Sequence, residues 1–143
     1  MKIKTCILLS LSFLLFLSCA ALHDTFSSLP EGRQRDGYRV LTSEEAYRWY
    51  ELGEKIIFVD VGLRHEYALE RIEGSIWVDL EEVESEAAEK LPDKEETIFL
   101  YCRLGRRNHE AAVSLTEQGY QNVFAIGRMR DWPGGTQRGT PPE

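Results

Sequence analysis

Apolar and polar positions fall into two rhythms along this chain. Thr97 to Tyr101 is an unbroken run of β-branched and bulky residues, the mark of a buried strand. Directly after it, Ala111, Ala112, Leu115 and Gly119 recur at helical spacing and read as a helix with its stop. Lys55 to Val61 is a second strongly apolar strand with Asp60 near its carboxyl end, and Tyr38–Leu41, Ser75–Val78 and Val123–Ile126 are shorter ones. Thr42-Ser43-Glu44-Glu45 is a capping box that opens a helix, and Gly53 ends it. Arg64 to Arg71 reads as a short helix. Leu80 to Lys90 reads as an acidic one broken by Pro92 and Asp93, its glutamates forming a solvated face rather than a metal site. Strands and helices alternate throughout, which predicts an α/β fold with a parallel sheet covered on both faces.

The ends of the chain follow other patterns. Residues 1–20 read as an export signal: Lys2 and Lys4 form a basic start, and Ile7 to Leu17 is an apolar run interrupted only by serines, short for a membrane span. Phe16-Leu17-Ser18-Cys19 resembles a lipobox, which would make Cys19 a lipidated mature N-terminus, while Ser18-Cys19-Ala20 also suits ordinary signal cleavage. The reading favoured is an exported, periplasmic or cell-envelope protein, lipid-anchored through Cys19. Residues 21–37 carry no apolar period and read as a linker, residues 38–132 as the one folded domain, and the Gly- and Pro-rich residues 133–143 as a disordered tail.

Composition changes this picture in two ways. The 143 residues carry a formal charge of −7, and losing Lys2 and Lys4 with the leader makes the domain more acidic still. Nucleic acid is therefore excluded as a partner, since a phosphate backbone needs a basic stripe and the basic clusters are confined to Arg103–Arg107 and Arg128–Arg130. Of the three cysteines, Cys6 leaves with the signal and Cys19 is terminal or lipidated, so Cys102 stands alone in the domain and no internal disulfide can form. A single embedded thiol in an exported protein is one to flag as reactive or intermolecularly paired.

Cys102 sits between the strongest strand and the strongest helix. A short loop from a strand's carboxyl end into a helix converges backbone N–H groups where the helix dipole is positive, and such a point favours an anion. Arg103, Arg106 and Arg107 add cations, and Gly105 supplies conformational freedom at mid-loop. Cys102 is thereby a candidate nucleophile rather than an inert strand end. Asp60 is either an orienting partner for this loop or a cap of its own following turn. His109, His65 and His23 lack the setting of a Cys/His catalytic pair, and no zinc-ligand spacing occurs.

Cys102, Gly105 and Arg107 fit the Cys-x-x-Gly-x-Arg loop of single-domain rhodaneses. The ordered series Phe58-Val59-Asp60-Val61, Glu66-Tyr67, Ile72, Gly74-Ser75-Ile76, Gly119-Tyr120, Asn122-Val123 and Trp132 also resembles that family, most closely its exported, phage-shock-type members. Three departures stand out: Gly62 replaces the usual Arg, Glu70-Arg71 replaces Gly-His, and Gly127-Arg128 replaces a Gly-Gly pair one residue further on. The resemblance implies a small doubly wound sheet with the Cys loop at its carboxyl edge, and a sulfurtransferase without metal or organic cofactor. It implies that Cys102 takes sulfur from a small anionic donor such as thiosulfate and passes it, as a persulfide, to cyanide or a thiol. Arg103, Leu104, Gly105, Arg106 and Arg107 would then bind substrate, with Arg103 and Arg107 on the donor's anionic end and Asp60 in support. The alternative it leaves is a non-enzymatic envelope module for protein binding or redox sensing. Rhodanese-like phosphatases use a longer Cys-x5-Arg loop, and Asn108 stands where that loop needs its arginine.

Overall fold

The computed structural model describes residues 29–140, so the segment read as a leader, Cys19 included, lies outside the described residues. Its order is β1 (Arg33–Gln34), β2 (Arg39–Val40), α1 (Ser43–Glu51), β3 (Ile56–Asp60), α2 (Arg64–Leu69), β4 (Arg71–Ile72) and β5 (Ile76–Trp77). A 3-10 turn (Leu80–Glu82) then leads into α3 (Val83–Lys90), β6 (Thr97–Cys102), α4 (Arg107–Glu117) and β7 (Asn122–Arg128), and a second 3-10 turn (Met129–Asp131) precedes β8 (Thr136–Gln137).

The main sheet runs β1-β2-β7-β6-β3-β5, and every pair is parallel except β1 with β2. This is the expected α/β architecture. Crossovers between parallel strands put helices on both faces, so a central strand reads as continuously apolar instead of alternating. In β6, Ile98, Leu100 and Cys102 pack toward Ala87 of α3 and Ala111, Ala112 and Leu115 of α4. Phe99 and Tyr101 point the other way, into a layer with Ala46, Phe58, Phe124 and Trp132. That second layer is aromatic: Phe99 lies edge-on to Phe58 and Trp49, at 5.7 Å between centroids in both cases.

Local chemistry starts and stops the helices as expected at α1. Thr42 accepts from the Glu45 N–H at 3.1 Å while Glu45 accepts from the Thr42 N–H at 2.8 Å, and Gly53 leaves the helix at φ +78°. The segment read as one helix through Arg71 divides instead. The helix stops at Leu69 and Arg71 opens β4, because Ile72 donates to the Tyr101 hydroxyl at 3.0 Å and is drawn into the core.

Both flanking segments depart from the sequence reading. Arg33–Gln34, assigned to the linker, pair antiparallel with β2. The stretch assigned to a disordered tail is ordered through residue 140, with β8 pairing antiparallel with β4. The reason is Arg71. Its side chain is buried, with only 4% of the residue exposed, its guanidinium covers the Tyr67 ring at 4.9 Å, and it donates to the Gly139 carbonyl at 2.7 Å. A buried cation needs acceptors, and the tail supplies the short one. Gly139 in turn donates to the Ala68 carbonyl at 2.9 Å.

Removing residues 133–143 strips Arg71 of that acceptor and should cost about 2 kcal/mol or more. Urea unfolding of the truncated chain measures it. In an Arg71→Met background the same truncation should cost clearly less, and an equal cost would show that the tail acts independently of Arg71.

Candidate active site

The site grows from the place where the ladder of β6 loses its regular register. Pairing with β7 is even from Thr97 to Leu100, then shifts so that Cys102 lies opposite Arg128. Such an irregularity re-aims the residues that follow it. Cys102 is 3% exposed and unpaired with any other cysteine. Gly105 turns the loop back at φ +71°, a conformation a side chain would strain, and its N–H points at the Cys102 sulfur, 3.1 Å from N to Sγ. A Cβ on Gly105 would also stand 3.0 Å from Cγ of Arg128. Helix α4 begins at Arg107, and its N-cap, Arg106, makes no side-chain cap. First-turn N–H groups are thus left for an anion at the sulfur's side of the loop.

The loop's arginines have three different fates. Arg107 is half-buried; its Nε donates to the Val61 carbonyl at 2.8 Å and another guanidinium nitrogen lies 3.7 Å from Asp79 Oδ1. It ties the loop to the end of β3. Arg103 is exposed and approaches Glu66 Oε1 at 3.9 Å, while Oε2 of the same carboxylate accepts from the Leu63 N–H. Arg106 is exposed and makes no ion pair among the described residues. Leu104 is 58% exposed at the tip.

Asp60 takes the turn-capping role of the two open to it. It lies opposite Tyr101 in the β3–β6 register, on the sheet face away from Cys102, and its Oδ1 accepts from the Gly62 N–H at 2.7 Å. Burial pushes its carboxyl up to about 6, against the pull of the Gly62 N–H and the Tyr101 hydroxyl; the Glu66 charge adds to the rise and Arg107 offsets part of it. The Gly62 departure is structurally matched to this, since a Cβ there would sit 2.8 Å from Asp60 Oδ1. Arg64 stacks over Trp77 at 5.0 Å, and Trp77 Nε1 donates to the Gly62 carbonyl.

The other weighed residues stay outside the loop. His109 packs at the core edge with Nδ1 3.0 Å from the Tyr38 hydroxyl, its pKa lowered by burial and by Arg35, and His65 is on the surface. Asn108 is buried and donates to the Ile126 carbonyl at 2.5 Å. Sequence reasoning did not place Arg128 beside the loop, where its guanidinium is paired with Asp131 at 2.6 Å. Its register with Cys102 and its contact with Gly105 depend on the β6–β7 shift, although the Gly127-Arg128 departure marked the place.

Known proteins of similar sequence and shape agree on one family. The profile of the Rhodanese-like domain matches residues 42–132. Thiosulfate sulfurtransferase PspE of Escherichia coli (strain K12) is 35% identical over 74 residues, 52% of this chain and 71% of that protein. The putative sulfur carrier protein YrkF of Bacillus subtilis (strain 168) is 34% identical over 85 residues, which span 59% of this chain and 45% of YrkF. Among solved structures, a rhodanese with anions from E. coli superposes with a TM-score of 0.57 at 32% identity, covering 59% of this chain and 99% of that one. The Alr3790 protein from Anabaena sp. superposes with a TM-score of 0.62 at 22% identity, covering 68% and 80%, a likeness of fold.

A raised carboxyl favours the folded state most when protonated. The Asp60 contribution is therefore complete below the ordinary carboxyl value of 3.8 and is lost as pH rises through about 6. Asp60→Asn keeps an acceptor for Gly62 without the buried charge. Relative to wild type it should gain about 2 to 3 kcal/mol between pH 4 and pH 7.5, measured as the difference in urea stability at the two pH values. A constant difference would mean that Asp60 is not charged and desolvated at neutral pH.

Proposed function

This chain belongs to the rhodanese-like family, and we propose that it is a thiosulfate-using sulfurtransferase that carries sulfane sulfur on Cys102. The observation that carries the reading is the Gly105 N–H held on Cys102 Sγ at the uncapped start of α4. Such a loop accommodates a second sulfur bearing negative charge, because its N–H groups are already oriented before the charge arrives. The similarity to a thiosulfate sulfurtransferase supports the same reading.

In the first step the Cys102 thiolate attacks the outer sulfur of thiosulfate. A sulfur–sulfur bond forms to Cys102, the bond within thiosulfate breaks, and its electron pair leaves with sulfite. The persulfide rests on the loop N–H groups. In the second step a cyanide or thiolate acceptor takes the outer sulfur and the electron pair of the breaking bond returns to Cys102. Arg103 is positioned by Glu66 beside the entrance and meets the donor's sulfonate. Arg107 serves mainly by holding the loop to Val61, with its guanidinium edge toward Asp79. Asn108 in place of a further loop arginine, anchored on Ile126, favours sulfur over phosphate as the transferred group. Export and lipid attachment at Cys19 belong to the same proposal and rest on the leader pattern.

Intact-mass spectrometry after thiosulfate treatment should find one added sulfur on the wild type and none on Cys102→Ser. Failure of the wild type to gain sulfur would leave the non-enzymatic reading in its place. Arg103→Ala should raise the Michaelis constant for thiosulfate about tenfold, the loss of one charge-assisted contact, while Arg107→Ala should lower turnover as well. Faster steady-state turnover with mercaptopyruvate than with thiosulfate would refute the role given to the arginines. Metabolic labelling with a fatty-acid analogue should mark the wild type and not Cys19→Ala; a mature N-terminus at Ala21 would reject the lipid.

A further inference from the structure

One peptide unit at the end of β3 is held at both of its polar ends. The Gly62 N–H donates to Asp60 Oδ1 at 2.7 Å, and the Val61 carbonyl accepts from Arg107 Nε at 2.8 Å. These two groups belong to the same planar, trans peptide, so they point in opposite directions. A carboxyl group thus stands at the peptide's positive end and a guanidinium at its negative end, with the dipoles between them aligned. The ladder on either side keeps the unit from turning away. The Asp60 carbonyl accepts from the Val78 N–H at 3.0 Å, and the Val61 N–H donates to the Tyr101 carbonyl at 2.9 Å.

This chain of bonds crosses the end of the sheet. Asp60 is buried on the face away from Cys102, whereas Arg107 opens α4 two residues after Gly105, whose N–H is on the Cys102 sulfur. The groups facing the Asp60 carboxyl are the Gly62 N–H of its own turn, the Tyr101 hydroxyl from β6, Glu66 from α2 and Arg107 from α4. Asp60 makes no ion pair within 4.0 Å among the described residues, so its bonded link to the one cation of that set runs through the peptide. The link needs the bare position 62, where a Cβ would stand 2.8 Å from Asp60 Oδ1. Hydrogen bonds in series polarise one another, and a charge on Asp60 makes the Val61 carbonyl a stronger acceptor.

We propose that Asp60 is a positioning residue for the Cys loop, acting through the Val61–Gly62 peptide on Arg107, so that its ionised form holds the loop to β3 more firmly than its neutral form does. The effect on rate rests on the sulfurtransferase reading; the relay itself does not. With its carboxyl pushed up to about 6, Asp60 is neutral at pH 5 and charged at pH 7.5. Charging it tightens the grip of Val61 on Arg107, keeps the Gly105 N–H on the sulfur and speeds attack on the donor. A carboxylate acting on Cys102 through space would do the opposite, since it disfavours a neighbouring thiolate.

Two measurements on the full chain test this. The first needs no sulfur chemistry: the Nε–H resonance of Arg107 is followed by NMR between pH 5 and pH 7.5. It should move with a midpoint of about 6 in the wild type and lose that step in Asp60→Asn; the contribution of Asp79, 3.7 Å from the same guanidinium, is common to both proteins. In Gly62→Ala both charges remain but the methyl crowds the carboxyl off the N–H, and the step should shrink. A resonance that does not titrate in the wild type, that titrates alike in Asp60→Asn, or that titrates undiminished in Gly62→Ala overturns the proposal. The second measurement is the ratio of kcat/KM for thiosulfate, wild type over Asp60→Asn, which decides even where Gly62→Ala does not fold. It should be about one at pH 5 and about threefold at pH 7.5, the scale of mutual polarisation between charge-assisted bonds. A ratio independent of pH would reduce Asp60 to a structural cap, and a ratio falling below one as pH rises would mark repulsion of the thiolate through space; either overturns the proposal. If the wild type gains no sulfur in the mass measurement, the sulfurtransferase reading falls and the Arg107 titration still decides on the relay. If it gains sulfur while Arg107 does not titrate, only the relay falls.

Discussion

A strand covered on both faces has to satisfy its backbone within the sheet, and everything at this site follows from where β6 stops doing so. Its ladder with β3 is regular from Thr97 to Tyr101, and its ladder with β7 shifts after Leu100. Cys102 lies at that shift, still beneath the protein's surface but at the end of the ordered ladder. The residues that follow no longer have strand partners, and the turn at Gly105 directs its N–H back at the sulfur. The same strand end thus provides both the thiol and an N–H donor to it.

Cations near a thiol are not equivalent merely by proximity. Arg107 is structural in its first contact, since its Nε is committed to the Val61 carbonyl. Arg103 shares Glu66 with the Leu63 backbone, which joins the Cys loop to the turn before α2. Arg106 is exposed and makes no ion pair among the described residues. One basic run therefore divides into a staple, a surface ion-pair partner and an unpaired cation.

The departures from the family series come with their own compensations. Gly62 leaves room for the Asp60 carboxyl to fold onto the following N–H, where any side chain would crowd it at 2.8 Å. Arg71 brings a cation into the core and thereby recruits the chain's tail, through Gly139 and the β4–β8 pair, to supply an acceptor. Neither change touches the Cys loop directly. Both alter the ground on which it stands, one at the end of β3 and the other behind Tyr101.

The chain's pattern alone determined the alternation of strands and helices, the capping box at Thr42, the parallel sheet and the position of Cys102 between its strongest elements. These are local properties: a continuous apolar run, a 3.6-residue period and a capping side chain act within a few residues of themselves. Tertiary structure decided what depends on distant partners. The β6–β7 shift set Arg128 beside Cys102, the Val61 carbonyl claimed Arg107, and the register with Tyr101 turned Asp60 to the opposite face. A Gly- and Pro-rich tail became a strand because a buried arginine sixty-eight residues away needed an acceptor. Periodicity along a chain carries no record of such a need, which arises only once burial has removed water from the cation.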